Sequence, residues 1–219
     1  MSAISSVFNG NIDQISYDAN NLNTKLLIER ATLMAGKPNN SAILTISFEE
    51  VAEIIKSIPE NSPQLKIQWF GCQGTGGIQT LITDREVASK ASSIRFTGGS
   101  FSHSGPYKTP LTYALSAHLN SEFKLLSGYG INIYDAFFLL TESISELGPS
   151  ASSDDLWSIL RRTNYFGGIG GPFELDENSD RTTGFIRFYS VIEKDNKYRW
   201  KLIADYENTF SVRGVLTTY

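Results

Sequence analysis

The sequence predicts an α/β fold built on a parallel sheet, and three observations carry that prediction. From residue 12 to residue 101, short apolar runs alternate with capped amphipathic helices. Three helix candidates then follow one another with no strand between them. Two alternating segments come last, joined by the tight turn Asp195-Asn196.

The elements follow in order. Ile12 to Tyr17 reads as a short strand, and Asp18 to Thr24 as a turn rich in helix-capping residues. Leu26, Leu27, Ala31 and Met34 then fall on one helical face, and Gly36 stops that helix. Ala42 to Ile46 is a continuous apolar run of strand length, which predicts a strand covered on both faces. Ser47 with Glu50 has the form of a capping box opening a helix from Glu49 to Ser57, with Val51, Ile54 and Ile55 inward. Lys66 to Phe70 is the next strand, Gly71 to Gly77 a glycine loop leading into a helix from Ile78, and Ser93 to Thr97 a further strand. Gly98 to Pro106 is dense in Gly and Ser and reads as a linker. The helix candidates are 110–126, 133–147 and 153–162, the last opened by Ser153 with acids in its first turn. The strands 184–192 and 197–203 close the series.

Composition excludes several classes. The chain has 219 residues, 41% of them hydrophobic and 19% charged, enough for a packed core and unlike a disordered chain. The formal net charge is -4, and the Lys and Arg residues look scattered, with no basic stripe for nucleic acid. Cys72 is the single cysteine, so no intrachain disulfide forms. His103 and His118 lie far apart, which suggests no zinc site. No run of about 18 apolar residues suggests a membrane span. Met1 to Phe8 has neither a basic n-region nor a long apolar core.

Trp69 to Gly77 is the sharpest candidate site. A strand ends, side chains become small, and a helix is expected to begin. Such loops at strand C-terminal ends line ligand clefts in open α/β sheets, and free N–H groups at a helix start attract anions. The spacing is neither a dinucleotide fingerprint nor a Walker loop. A tight βα turn with no ligand explains the same residues. Ser47 and Phe48 lie at the end of the neighbouring strand, where helix capping and core packing are the alternatives. Asp135 reads as a helix-dipole partner near a helix start. Asp176 to Asp180 looks like the start of a calcium loop but lacks its glycine and its distant glutamate. Cys72 has no base placed beside it by any motif, and no G-x-S-x-G elbow exists.

Two stretches carry a resemblance. Phe166 to Arg181 reads F-G-G-I-G-G-P-F-E-L-D-E-N-S-D-R, and Ile133-Tyr-Asp-Ala-Phe-Phe-Leu-Leu140 lies upstream. In this order they resemble the C-terminal half of the type I periplasmic binding proteins, the branched-chain amino acid and amide receptors. The resemblance implies a fold with a parallel βα second lobe, residues 12–101 and 184–208, and a helical remnant of the first lobe, residues 102–183. Residues 209–219 would be a tail. It also implies that the βα units building the first lobe's sheet are absent, so that the chain is a fragment with an incomplete cleft. The expected function is solute binding for an ABC-type importer, without catalysis and with no cofactor. Two lobes would close by a hinge near Phe101 and Thr183.

The ligand residues implied are Ser47, Phe48, Gln73, Gly74, Thr75 and Tyr134. Gln73 stands where the family commonly has an acid that meets the ligand's ammonium, and a neutral glutamine makes no such charge-assisted pair. The partners implied are a small polar solute, amino acid or amide-like, an ABC permease, and either the missing lobe segment or a second copy; no nucleic acid is expected. Export to the periplasm or cell surface would follow. A ligand-sensing regulatory or receptor domain on the same scaffold is the alternative, distinguished by the absence of a permease and ATPase neighbour. An α/β enzyme would need a titratable cluster in the glycine-loop cleft.

Overall fold

The structure, a computed structural model, describes residues 10–35, 41–102, 128–163, 166–168, 171–178, 181–208 and 214–219. The chain divides into two compact units. Unit 1 comprises residues 1–100 and 189–202, and unit 2 comprises residues 101–188 and 203–219. The helix candidate 110–126, Gly36 to Asn40, His103 and His118 lie outside the described residues.

Unit 1 holds α1 (Thr24–Ala35), β1 (Ala42–Thr45), α2 (Glu50–Lys56), β2 (Gln68–Gly71), α3 (Thr80–Thr83), α4 (Arg85–Ser93) and the start of β3 (Thr97–Ser102). β1 and β2 pair in parallel from Ala42 opposite Gln68 to Thr45 opposite Gly71, and β2 pairs in parallel with β3 through Phe70 and Gly71. β6 (Gly184–Lys194) lies beside β3, and β7 (Lys197–Asn208) beside β6. The expected parallel βα layer, joined by the late strands, is therefore present.

The core explains the helix spacing. Val51, Ile54 and Ile55 of α2 turn inward together with Ala52, and Val87 and Ala91 of α4 do the same. They pack with Ile28, Trp69, Ile94, Phe96 and Val191. Each large side chain so buried contributes about 1.5–3 kcal/mol. The indole N–H of Trp69 donates to the Gln64 carbonyl and that of Trp200 to the Ile78 carbonyl, so neither ring buries an unmet donor. Trp200 meets the ring of Phe96 edge-on at 6.3 Å.

Several expectations are corrected in unit 1. Ile12 to Tyr17 forms no strand; Asp18 instead caps a short 3-10 turn, Ala19–Asn21. In α1 Ile28 is buried and Leu27 packs half-buried against the core, while Leu26 is exposed; the side chain of Met34 lies outside the described residues. β1 is the edge of the sheet and is not covered on both faces, because Leu44 and Ile46 are exposed. Lys66 belongs to a 3-10 turn, Pro63–Lys66, capped by Ser62. No helix starts at Ile78: a single turn runs from Thr80 to Thr83, and Asp84 then caps α4 through the amides of Glu86 and Val87. α4 runs through Ser93, so the strand expected at Ser93 begins at Thr97. Arg95 makes the reversal at φ 50°. Gly98 to Ser102, read as linker, is strand. The hairpin between β6 and β7 is as expected: Asp195 and Asn196 adopt φ 54° and 58°, the double left-handed pair of a type I′ turn.

Unit 2 holds α5 (Gly128–Leu147), α6 (Ser153–Leu160), β4 (Phe166–Gly168), β5 (Gly171–Phe173) and β8 (Val215–Thr218), with the outer parts of β6 and β7. β4 and β5 pair antiparallel, and Leu175 bridges to Arg181. Ser152, one residue before the expected start, caps α6 in a full capping box with Asp155. Val215 to Thr218, within the expected tail, is a strand antiparallel to β7, with Ala204 opposite Thr218. Tyr219 then ties to Asp205, its hydroxyl donating at 3.0 Å.

Candidate functional site

The C-terminal ends of β1 and β2 build one continuous surface in unit 1. After Thr45 the chain turns through Ser47 and Phe48, and after Gly71 through Cys72 to Gly77. The two loops are stitched directly. The Cys72 amide donates to the Thr45 carbonyl at 3.0 Å, and the Cys72 thiol to the Ser47 carbonyl at 3.3 Å. Gly74 lies so close that a Cβ there would stand 2.8 Å from both the Phe48 ring and the Ser47 carbonyl. Only glycine permits this approach. Gly76 is likewise held against β3, where an added Cβ would fall 2.9 Å from the Gly99 carbonyl carbon.

The expected site residues divide by exposure. Phe48 and Gln73 are exposed, and Gly74 is half-buried between them. Thr75 is fully buried and its hydroxyl donates to the Cys72 carbonyl at 2.7 Å. Its side chain therefore shapes the loop and offers nothing to a solute. Ser47 is buried, and its hydroxyl has no hydrogen-bond partner among the described residues. Ser47 does not cap α2; the residue before that helix is Glu49, which makes no side-chain cap. The loop also differs from a helix-start anion site. The amides of Cys72, Thr75, Gly76 and Ile78 all bond to carbonyls of the two loops, and the next helix is one turn long.

Two residues outside the predicted set join this surface. The Tyr17 hydroxyl donates to Glu50 Oε1 at 3.0 Å and reaches the Ile46 carbonyl at 3.4 Å. Burial raises the Tyr17 pKa first, and the hydrogen bond and charge of Glu50 add to it, against a smaller opposing effect of the Ser47 hydroxyl. The phenol is pushed up to about 12. Burial works against the Glu50 charge, yet its own amide, the Phe48 amide and the Tyr17 hydroxyl outweigh it and hold the carboxyl below its ordinary value. Glu50 is thus an anion at neutral pH, and its Oε2 accepts from the Phe48 amide at 3.0 Å. The sequence had suggested only a short strand at Ile12 to Tyr17, and only a cap at Glu50.

In unit 2, Tyr134 lies on α5 and stacks on Phe138 with ring centroids 4.6 Å apart. Asp135 is not at a helix start, because α5 begins seven residues earlier at Gly128. It is 3% exposed, and a Cβ at Gly168 would stand 2.5 Å from its carboxyl carbon. Arg181 is half-buried: burial works against its charge, and the nearby Asp135 carboxylate supports it. Arg181 Nε also donates to the Thr183 carbonyl at 2.7 Å. Asp135 of the Tyr-Asp-Ala stretch thus lies against Gly168 and near Arg181 within unit 2. In the acidic turn the Asp176 carboxylate accepts from the Asn178 amide at 2.8 Å. Among the described residues no group of three His, Cys, Asp or Glu side chains is placed to hold a metal.

Comparison with known proteins bears on the fold. No family model matches the chain. An uncharacterized protein of Methanocaldococcus jannaschii is 29% identical, covering 90% of this chain and 48% of its own length. A leucine binding protein from Thermotoga maritima superposes with a TM-score of 0.60 at 14% identity, over 88% of this chain and 51% of that one. An ABC transporter solute binding protein of Rhodopseudomonas palustris, in complex with 4-hydroxybenzoate, gives 0.56 at 13% identity, over 88% and 51%. An ABC transporter substrate-binding protein from Sphaerobacter thermophilus gives 0.53 at 14%, over 86% and 50%. The chain has the type I periplasmic-binding-protein fold. It spans about half the length of each of these proteins. Among the described residues no helix is long and apolar enough to cross a membrane.

Proposed function

We propose that this chain is a solute-binding component of an ABC-type importer, working without catalysis outside the cytoplasmic membrane. The observation that carries the reading is the joined surface at the ends of β1 and β2, where Phe48, Gln73 and Gly74 are held together by two loops of fixed backbone geometry. Strand ends of this kind are where open α/β sheets bind small molecules. Ser47 and Tyr17 stand behind them, and Tyr134 is a separate candidate contact on unit 2.

The solute class follows from charge. Gln73 is neutral, so it offers a solute both an amide donor and a carbonyl acceptor but no ion pair. The two structural relatives whose ligands are named, leucine and 4-hydroxybenzoate, both involve a carboxylate, and only leucine carries an ammonium. A small amino acid, amide or carboxylate fits Gln73, with uncharged groups favoured at that contact. Isothermal titration with a panel of amino acids, amides and small carboxylates tests this on wild type, Gln73→Ala and Gln73→Glu. The expected result is weaker binding for Gln73→Ala and a shift toward ammonium-bearing solutes for Gln73→Glu. Solute binding that neither substitution alters would overturn the assignment.

The reading includes a polypeptide partner besides the permease. Ile133 and Phe137 are 70% and 64% exposed, and Leu140 and Ile144 continue the same face of α5. In unit 1, Leu44 on the edge strand β1 and its register neighbour Phe70 on β2 are also exposed. Exposed apolar residues grouped on one face of an element mark an interaction surface. A complementary segment of a two-lobed receptor, or a second copy of this chain, would cover the α5 face.

A further inference from the structure

The turn at Asp195-Asn196 sets Lys194 across from Lys197, and strand alternation then sorts the hairpin side chains by face. Val191 and Trp200 turn into the core of unit 1. Ile192, Lys194, Lys197, Arg199 and Lys201 turn the other way, and all four cations are exposed. The basic residues that looked scattered in the sequence therefore do form a stripe. Four of the nineteen Lys and Arg residues fall within the eight positions 194–201, in a chain of formal net charge -4.

Compensating charge is sparse. Among the described residues Lys194, Lys197 and Lys201 form no ion pair, and Arg199 reaches only Asp195, at 3.8 Å. That carboxylate is 80% exposed, and pairs of this kind contribute little. Glu193 falls on the opposite face by alternation, where it borders a second hollow that Lys197 also reaches. Ile192, Lys194, Arg199 and Lys201, bordered by Trp200 and Leu202 of the adjoining face, line a shallow, open hollow.

We propose that the hollow on the outer face of the β6–β7 hairpin binds a phosphate-bearing anion through Lys194, Arg199 and Lys201. Residues two apart on a strand stand roughly 6.6 Å apart, so a single carboxylate engages one of these cations, whereas a phosphate group of charge about -1.5 to -2 draws on several flexible ammonium and guanidinium groups. Ile192 gives the hollow an apolar wall for the carbon part of a phosphate ester. Free phosphate compounds and anionic lipid headgroups share this chemistry.

The test uses the full chain and two probes at low salt: pyrophosphate in isothermal titration, and co-sedimentation with phosphatidylglycerol vesicles against phosphatidylcholine vesicles. Wild type should bind at least one phosphate probe, less tightly as salt rises. The triple variant Lys194→Ala/Arg199→Ala/Lys201→Ala should lose about 100-fold in affinity, roughly 1 kcal/mol for each cation. Lys201→Glu gives an independent reading should the triple variant misfold. Saturable pyrophosphate binding identifies a free phosphate ligand, and binding to phosphatidylglycerol alone identifies a headgroup. The proposal is overturned by wild type binding neither probe, or by variants that bind as wild type does.

Discussion

Gly168→Ala should destabilise the protein by about 1–3 kcal/mol, the usual cost of forcing an extra methyl group into a packed site. The figure follows from one contact. The new Cβ would stand 2.5 Å from the Asp135 carboxyl carbon, where an ordinary contact is 3.4–4 Å, so the buried carboxyl must retreat by close to 0.9 Å, the difference between 3.4 and 2.5. Asp135 has little room to do so, being 3% exposed. The backbone of Gly168 is not left-handed, so alanine adds no φ strain and the substitution isolates the side-chain clash. Urea denaturation followed by circular dichroism measures the change. A variant within about 0.5 kcal/mol of wild type, the range of ordinary surface substitutions, would refute the view that the glycine turn exists to admit Asp135.

Other outcomes follow from the same geometry. Ile55→Ala removes a fully buried side chain of α2 and should cost about 2–5 kcal/mol in the same assay. The Asp84 carboxyl is held below its ordinary value by the Lys56 hydrogen bond first, then by the Val87 amide, with burial opposing. Its contribution is therefore present above the unfolded value of about pH 4 and lost as pH falls through the folded value. Asp84→Asn should accordingly flatten the acid limb of the stability curve between about pH 5 and pH 2, read from urea midpoints across that range. Phe137→Ser/Leu140→Ser should reduce self-association in size-exclusion with light scattering and lower the binding of a dye for exposed apolar surface. A wild-type chain that is already a dye-silent monomer contradicts the uncovered-face reading.

Local chemistry decided which parts were legible in the sequence. Asp195-Asn196 announced its hairpin because few residue pairs accept two left-handed positions in a row. α2 was equally plain, since Val51, Ile54 and Ile55 repeat at helical spacing and all turn inward. Ile12 to Tyr17 has the length and apolar content of a short strand, but these do not supply a ladder partner, and in the structure Tyr17 acts through its hydroxyl. Ser93 to Phe96 misled because Ile94 and Phe96 are buried at the junction of a helix and a strand, where apolar character has no period of its own. α5 starts at Gly128 despite glycines at 128 and 130, and this moved Asp135 from a first turn to a buried mid-helix position. The two adjacent loops of the candidate site were legible. Thr75 pointing inward and Tyr17 joining through Glu50 depend on tertiary contacts between residues 29 to 33 positions apart or on loop closure, which no local pattern encodes.

The proposed solute surface can be tested by NMR even where affinity is weak. Amide spectra of the full chain would be recorded as leucine, glutamine amide analogues and 4-hydroxybenzoate are added to millimolar concentration. The account predicts concentration-dependent shifts centred on Ser47, Phe48, Gln73 and Gly74 for at least one solute class. Shifts confined to the opposite ends of β1 and β2, or no shifts with any of the solutes, would contradict it.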